Sequence, residues 1–159
     1  MPAMEPVTYR RAMAADIPAL IELRCAFLAE VNGAEPNDPR LLQALFSYFS
    51  SHIPTGDFVA LCGTVDDRTV AASGLVFHHY PPSSKNLAGK QAYIMNMYTV
   101  PEWRGRGIGT RLLQELLAVA RESQCHRVRL NALSKAEPVY TRMGFVRIDG
   151  EMELSLIMR

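Results

Sequence analysis

The stretch WRGRGIGTRLLQELLAVAR, residues 103–121, places three glycines and two arginines directly ahead of an apolar helix. The first turn of a helix leaves four backbone N–H groups without partners, and a Ser, Thr, Asp or Asn side chain usually accepts from one of them. Residues 104–109 contain no such side chain, and glycines let a ligand approach the backbone closely. The helix dipole and the arginines favour an anion. The stretch therefore predicts a site for a pyrophosphate-like anion, the alternative being a flexible turn with solvated arginines.

Two better-known phosphate loops do not match this stretch. A P-loop requires a lysine directly after its glycines, and none follows here. The dinucleotide fingerprint requires a third glycine where this chain has Thr110. It also requires an acidic residue ~20 positions later, where the chain reads RVRLNA. These mismatches weigh against a nucleotide-binding module.

The same helix decides the fold class, because it lies between two predicted strands, residues 93–100 and 128–132. A helix that joins neighbouring strands of one sheet makes them parallel, whereas the hairpin predicted for residues 58–65 and 70–80 is antiparallel. The sequence thus predicts an α/β (α+β) domain with a mixed, mostly antiparallel central sheet flanked by helices. The predicted order is β-α-α-β-β-β-α-β-α-β-β, beginning with strand 7–13 and ending with helix 134–143 and a hairpin of residues 145–148 and 151–158.

Composition limits the classes of partner. The 159 residues include 17 Lys and Arg against 16 Asp and Glu, a net charge of +1, so we expect neither a nucleic-acid nor a membrane partner. Cys25, Cys62 and Cys125 lack ligand spacing, which predicts free thiols and no metal site. The chain shows no signal peptide and no apolar run of ~18 residues. We therefore expect a cytoplasmic protein with a single domain over residues 1–159.

The strand YIMNMYTV before the loop and the segment VYTRMGF after it complete a longer pattern. Arg/Gln-x-x-Gly-x-Gly/Ala between a strand and a helix, with these segments at these distances, resembles the GNAT superfamily of acetyl-CoA-dependent N-acetyltransferases. The resemblance covers residues 92–145. It implies a single GNAT domain that transfers an acetyl group from acetyl-CoA to a small-molecule amine without a metal. A non-catalytic acyl-CoA-binding sensor on the same fold is the rival interpretation, and a homodimer, as relatives often form, stays open.

The resemblance assigns roles on the acetyl-CoA side. The loop would cradle the pyrophosphate, the strand before it would pair with the pantetheine arm, and the N–H near Met97 would polarise the acetyl carbonyl. Tyr140 would protonate the leaving thiolate, and Asn131 would bind the pantetheine or its neighbouring backbone. None of the cysteines falls at a matched position, which favours direct transfer. The resemblance makes Tyr140 and Met97 catalytic, and the cofactor-binding set is Met97, Tyr98, Thr99, Arg104, Gly105, Arg106, Gly107, Ile108, Gly109, Thr110, Asn131 and Tyr140.

The general base is missing from the expected place. Many relatives carry a glutamate on the strand before the loop, but the alternating positions here are Tyr93, Met95 and Met97. Water or a side chain from another element would then deprotonate the amine. Of His78 and His79 on the preceding strand, only one can face the cleft, and we assign His79 to the acceptor site.

Arg24 interrupts the apolar face of the first predicted helix. A charge at such a position snorkels to the surface, pairs with an acid or faces a cleft. The resemblance places this helix beside the acceptor pocket. We therefore expect Arg24 to bind an acidic acceptor, with an internal salt bridge as an equal alternative.

Overall fold

The computed structural model describes residues 5–157 and contains five strands and four helices. The strands are β1 (Thr8–Arg11), β2 (Phe58–Val65), β3 (Arg68–His79), β4 (Lys90–Thr99) and β5 (Arg127–Leu130). The helices are α1 (Ile17–Asn32), α2 (Pro39–His52), α3 (Ile108–Glu122) and α4 (Glu137–Arg142). Within residues 5–157, no helix is long and apolar enough to cross a membrane.

The five strands form one sheet in the order β1-β2-β3-β4-β5. The first three pairs are antiparallel and β4 pairs with β5 in parallel, because α3 carries the chain back across the sheet between them. The predicted mixed, mostly antiparallel sheet flanked by helices is confirmed. The parallel pair places the start of α3 next to the end of β4.

Each face of the sheet buries its own core. On one face α3 buries Leu112, Leu113 and Leu116 completely, and each such side chain stabilises the fold by about 1.5–3 kcal/mol. On the other face α1 and α2 pack through residues such as Leu20 and Phe49. The two faces are therefore separate environments, and a residue on β4 serves one or the other.

A buried carboxyl joins β1 to α1. Asp16 accepts hydrogen bonds from both terminal nitrogens of Arg10 at 2.8 Å and from the backbone N–H of Met13 at 2.7 Å. The hydrogen bond from Arg10 is the main reason that the pKa of Asp16 lies below its usual value, with the N–H of Met13 adding to it. This ion pair fixes the turn that leads into α1.

The predicted C-terminal hairpin is wrong for the described residues, since positions 145–157 contain no strand. Phe145 packs on the core, but the apolar side chains from Val146 to Ile157 are exposed, from 56% for Ile148 to 100% for Met152. A hairpin needs an apolar surface on which to bury one face, and these side chains find none within residues 5–157. Glu151 nevertheless stays beside β5 through an ion pair with Arg129 at 2.7 Å. Met158, the last residue of the predicted hairpin, lies outside the described residues.

Candidate active site

The glycine-rich loop between β4 and α3 presents open backbone donors. Gly105 and Gly107 adopt left-handed conformations with φ of 74° and 77°, and a Cβ on either would meet nothing within 4 Å. Gly107 is the N-cap of α3 and provides no side-chain cap. Over residues 5–157, the N–H groups from Gly105 to Thr110 donate to no protein acceptor. This is a cradle of six donors at a helix start, and it fits a pyrophosphate.

The two loop arginines hold the loop in place. Arg104 pairs with Glu30 of α1 through hydrogen bonds of 2.7 and 3.0 Å and also donates to the carbonyl of Thr99 at 2.8 Å. Arg106 lies over the ring of Trp103, 4.3 Å from its centroid. The charge of Arg104 is therefore compensated within the protein, which leaves the backbone N–H groups as the donors of this loop that are best placed for an anion.

A bulge divides β4 at Asn96. Its φ is 62°, a left-handed conformation that asparagine tolerates better than most residues. Ala72 pairs with Tyr98 but Gly74 pairs with Met95, so β4 carries one extra residue at this point. Met95 consequently packs on the face of α1 and α2, whereas Met97 packs on the face of α3. The expected alternation of Met95 and Met97 on a common face is wrong because the bulge interrupts it.

Beyond the bulge, β4 loses its parallel partner. The pairing with β5 covers Gln91 to Ile94 only, and β4 continues to Thr99. The strands separate at Ile94 and Leu130, which leaves one edge of residues 97–99 without β5. An extended molecule can add itself to such an edge through backbone hydrogen bonds. Asn131 follows β5 directly and is exposed at the mouth of this gap.

Tyr140 on α4 belongs to the same core as Met97, on the α3 face. The side chain is 8% exposed and packs edge-to-face on Phe145, with ring centroids 5.9 Å apart. Burial raises the pKa of its phenol. No hydrogen bond joins the hydroxyl to any residue from 5 to 157. Tyr140 is thus a protonated phenol whose hydroxyl is available to a ligand.

A cavity of about 500 Å³ lies on the opposite face of β4, between the sheet and helices α1 and α2. Its walls are mainly aromatic and aliphatic. Within the described chain its lining contains one permanent cation and no carboxylate. The lining residues are Arg24, Leu45, Tyr48, Phe49, Phe58, Val76, His78, Tyr93, Met95 and Asn96.

Arg24 reaches this cavity from α1 and donates a hydrogen bond to the side-chain oxygen of Asn96. Its guanidinium carbon also lies 5.6 Å from the ring centroid of Phe27. Among residues 5–157, no carboxylate comes within ion-pair distance of Arg24, so the internal salt bridge considered from the sequence is absent. Burial lowers the pKa of the guanidinium, since nearby groups provide little compensation for its charge.

The cavity is lined by His78 and not by His79, the histidine predicted from the sequence for the acceptor site. His78 shares a face of β3 with Val76, another lining residue, and alternation therefore turns His79 away. The cavity is also lined by Tyr48, Phe49 and Phe58, which the sequence did not predict. The apolar face of α2 was a signal that it packs on the sheet, but no local signal shows that its aromatic rings enclose a cavity.

Comparisons with known proteins identify relatives that are acetyltransferases. A model of the acetyltransferase (GNAT) family matches residues 18–145. A glucosamine 6-phosphate N-acetyltransferase of Trypanosoma brucei brucei is 31% identical over 129 residues, 81% of this chain and 78% of that protein. A thialysine N-epsilon-acetyltransferase of Mus musculus is 27% identical over 96 residues, and the match spans about half of that protein, 54%.

Solved structures give a closer match in shape. The crystal structure of a predicted acetyltransferase with acetyl-CoA from Clostridium acetobutylicum superposes with a TM-score of 0.87 and 33% identity. The match covers 95% of this chain and 97% of that one. The whole described sheet and its helices therefore have a counterpart in a protein that has been crystallised with acetyl-CoA.

Proposed function

Since the chain belongs to the acetyltransferase (GNAT) family and is an N-acetyltransferase, we propose that it passes the acetyl group of acetyl-CoA directly to the amine of a small molecule. One observation carries this proposal. The bulged strand β4 has an open edge beside a donor-rich loop on one side and a half-open cavity of about 500 Å³ on the other. A cavity of this volume suits a small acceptor. The names of the relatives, for glucosamine 6-phosphate and thialysine, also refer to small amines.

Acetyl-CoA binds through backbone groups in this proposal. The N–H groups of residues 105–110 hold the pyrophosphate, and the edge of Met97, Tyr98 and Thr99 pairs with the pantetheine arm. Asn131 contributes a polar side chain at the mouth of the gap. The support is the set of unpartnered N–H groups together with the separation of β4 from β5.

The transfer step needs an oxygen-binding donor and an acid. The neutral amine attacks the thioester carbon, and the N–H near Met97 stabilises the negative charge that develops on the carbonyl oxygen. The carbon–sulfur bond breaks, and Tyr140 gives its proton to the leaving thiolate before recovering one from solvent. We do not expect a cysteine intermediate, because burial raises the pKa of Cys62 to about 11 and none of the described residues that line the cavity is a cysteine.

The acceptor amine must also lose a proton, since a primary amine is mostly an ammonium ion at neutral pH. The cavity lining described above has no carboxylate that could accept it. His78 lines the cavity and has a ring nitrogen that can accept a proton. In this proposal His78 takes the proton, directly or through a water molecule.

Two measurements separate this proposal from a non-catalytic acyl-CoA sensor. Titration calorimetry with acetyl-CoA, against ATP and NAD as controls, tests the cradle, and we expect micromolar binding of acetyl-CoA alone. A thiol-release assay with a panel of primary amines then tests transfer. Binding without amine-dependent release would favour the sensor, and equal binding of ATP would contradict the role of the loop.

We also propose that the C-terminal segment, residues 151–157, pairs with the sheet edge of a second copy of the chain. Met152, Leu154 and Leu156 alternate and are at least 82% exposed, and β5 lies at the sheet edge. Light scattering should show a dimer that Leu154→Asp dissociates. Ser155→Asp, on the other side of the alternation, should leave it intact. A monomeric wild type would contradict this arrangement.

A further inference from the structure

We propose that the acceptor is an amino acid with an apolar or aromatic side chain, whose carboxylate pairs with Arg24 beside the bulge. This inference rests on the proposed function and names the substrate class of the same cavity. It begins with an uncompensated charge. Arg24 is half-buried, lines the cavity and has no carboxylate partner among residues 5–157.

The guanidinium also has unused donors. A guanidinium has five N–H donors, and within the described chain Arg24 uses one of them, in the hydrogen bond to the side-chain oxygen of Asn96. Neither Nε nor Nη2, which form no hydrogen bond within the described chain, is sealed from solvent, so their donors remain accessible to a ligand. A guanidinium matches a carboxylate in planar, paired hydrogen bonds, which an apolar environment strengthens. The missing countercharge is therefore supplied by the ligand.

The position of Arg24 shows which part of the ligand carries the charge. Arg24 contacts Asn96, and Asn96 directly precedes Met97, whose N–H is the proposed partner of the acetyl carbonyl. The anionic group therefore lies near the reacting amine. An amino group and a carboxylate on the same or adjacent carbons satisfy this arrangement, and an α-amino acid is the simplest molecule that has it.

The rest of the cavity indicates which side chain the amino acid carries. From Asn96 the cavity follows β4 back to Tyr93, a distance of about 10 Å along the strand. Its wall opposite the sheet includes Tyr48 and Phe49, whose rings pack edge-to-face 5.8 Å apart. Most of the lining surface is aromatic or aliphatic, so an apolar or aromatic side chain of the ligand gains more from burial here than the hydroxyl groups of a sugar would.

The number of charges favours a carboxylate over a phosphate. Arg24 is the one permanent cation in the lining described above, and it balances a single negative charge. A phosphate monoester carries close to two negative charges at neutral pH and would need further donors. The name of the trypanosomal relative refers to a sugar phosphate. Comparing glucosamine 6-phosphate with an apolar amino acid as the acceptor therefore tests the inference directly.

The experiment compares acceptors that differ in the carboxylate alone. Thiol release is measured at saturating acetyl-CoA for L-phenylalanine and 2-phenylethylamine, with wild type, Arg24→Gln and Arg24→Lys. We expect Arg24→Gln to lower kcat/KM for L-phenylalanine by about 10- to 100-fold and to leave that for 2-phenylethylamine within about threefold. Arg24→Lys should retain part of the preference. Taking each variant relative to wild type removes the difference in basicity between the two amines.

A purely structural role of Arg24 would lower kcat/KM equally for both acceptors, and that result would overturn the inference. Faster acetylation of glucosamine 6-phosphate than of any apolar amino acid would also overturn it. The exposed Arg121→Gln is the matched control and should change neither acceptor. If Arg24→Gln fails to fold, the wild type decides, because an absence of preference for L-phenylalanine over its decarboxylated analogue would refute the pairing.

A binding measurement separates this inference from the proposed function. The carboxylate 3-phenylpropionate has no amine and cannot be acetylated. Calorimetry should show that it binds wild type at least tenfold more tightly than Arg24→Gln. Binding of 3-phenylpropionate without any acetyl transfer would refute the transferase activity alone, whereas transfer to amines without Arg24-dependent carboxylate binding would refute this inference alone.

Discussion

Replacement of Tyr140 by phenylalanine is expected to lower kcat by about 100- to 10,000-fold, the usual contribution of a positioned general acid. This corresponds to about 2.7–5.4 kcal/mol of activation free energy, at 1.36 kcal/mol for each factor of ten. The substitution removes a hydroxyl and keeps the ring that packs on Phe145. The expected fall in kcat therefore comes from the loss of the hydroxyl proton, while α4 keeps its position.

The structure also predicts that the Tyr140→Phe variant stays folded. The hydroxyl makes no hydrogen bond within the described chain, so its removal breaks none. We expect the free energy of unfolding to change by less than about 1 kcal/mol and the Tm by less than about 4 °C. Because burial raises the pKa of the phenol, the wild-type enzyme keeps its acid form throughout the neutral range and loses it only in alkaline solution.

The assay is thiol release at saturating acetyl-CoA and acceptor, with calorimetry of acetyl-CoA and a thermal melt on the same samples. Tyr9→Phe on β1 is the matched control and should keep wild-type kcat. A Tyr140→Phe variant that retains more than about a tenth of wild-type kcat would refute the role of Tyr140 as the acid. A large fall in Tm would instead show that the hydroxyl has a structural partner.

Three further predictions follow from the same structure. Gly107→Ala should weaken acetyl-CoA binding in calorimetry, since it adds a Cβ at a left-handed residue of the cradle. Gly33→Ala is the control, because Gly33 is also left-handed, with a φ of 68°, and lies in open space. It should lower the Tm by a similar amount and leave acetyl-CoA binding unchanged. His78→Ala should reduce kcat at neutral pH, and His79→Ala should not. If both variants changed the pH–rate profile equally, the assignment of the proton acceptor to His78 would be wrong. The pKa of Asp16 is lowered in the folded state, so its ionised carboxylate stabilises the fold. That stability is fully present above the ordinary aspartate pKa of about 3.9 and is lost as the pH falls through the lower pKa of the folded state. Asp16→Asn should therefore be less stable than wild type at pH 7, and its Tm should depend less on pH in the acid range.

The geometry of the glycine-rich loop was predictable because its determinants are local. The glycines, the uncapped helix start and the preceding strand are contiguous in the chain, so the sequence alone indicates a loop whose N–H groups face a ligand. The structure places Gly105 and Gly107 in the left-handed conformation that a Cβ disfavours. The predicted charge contribution of Arg104 was less accurate, because its partner Glu30 is 74 residues away in the chain.

The acceptor side depends on contacts between distant segments, and the sequence resolved it poorly. Periodicity placed one of two histidines in the cleft, but the choice depends on the face that β3 turns towards α2, which no local pattern shows. The C-terminal prediction failed for a related reason. Alternation in residues 151–158 shows which side chains share a face of a strand and says nothing about the surface that would cover them.

The bulge at Asn96 shows how one irregular residue lets β4 serve the two roles proposed for it. A regular strand would turn Met95 and Met97 towards the same face, and the acetyl group and the amine would then compete for one surface. The extra residue turns Met97 to the face of Tyr140 and leaves Met95 in the acceptor cavity. The left-handed residue is an asparagine, which adopts this conformation more readily than most residues. Arg24, the residue proposed to bind the acceptor carboxylate, contacts that same asparagine, so the acceptor would lie directly beside the bulge.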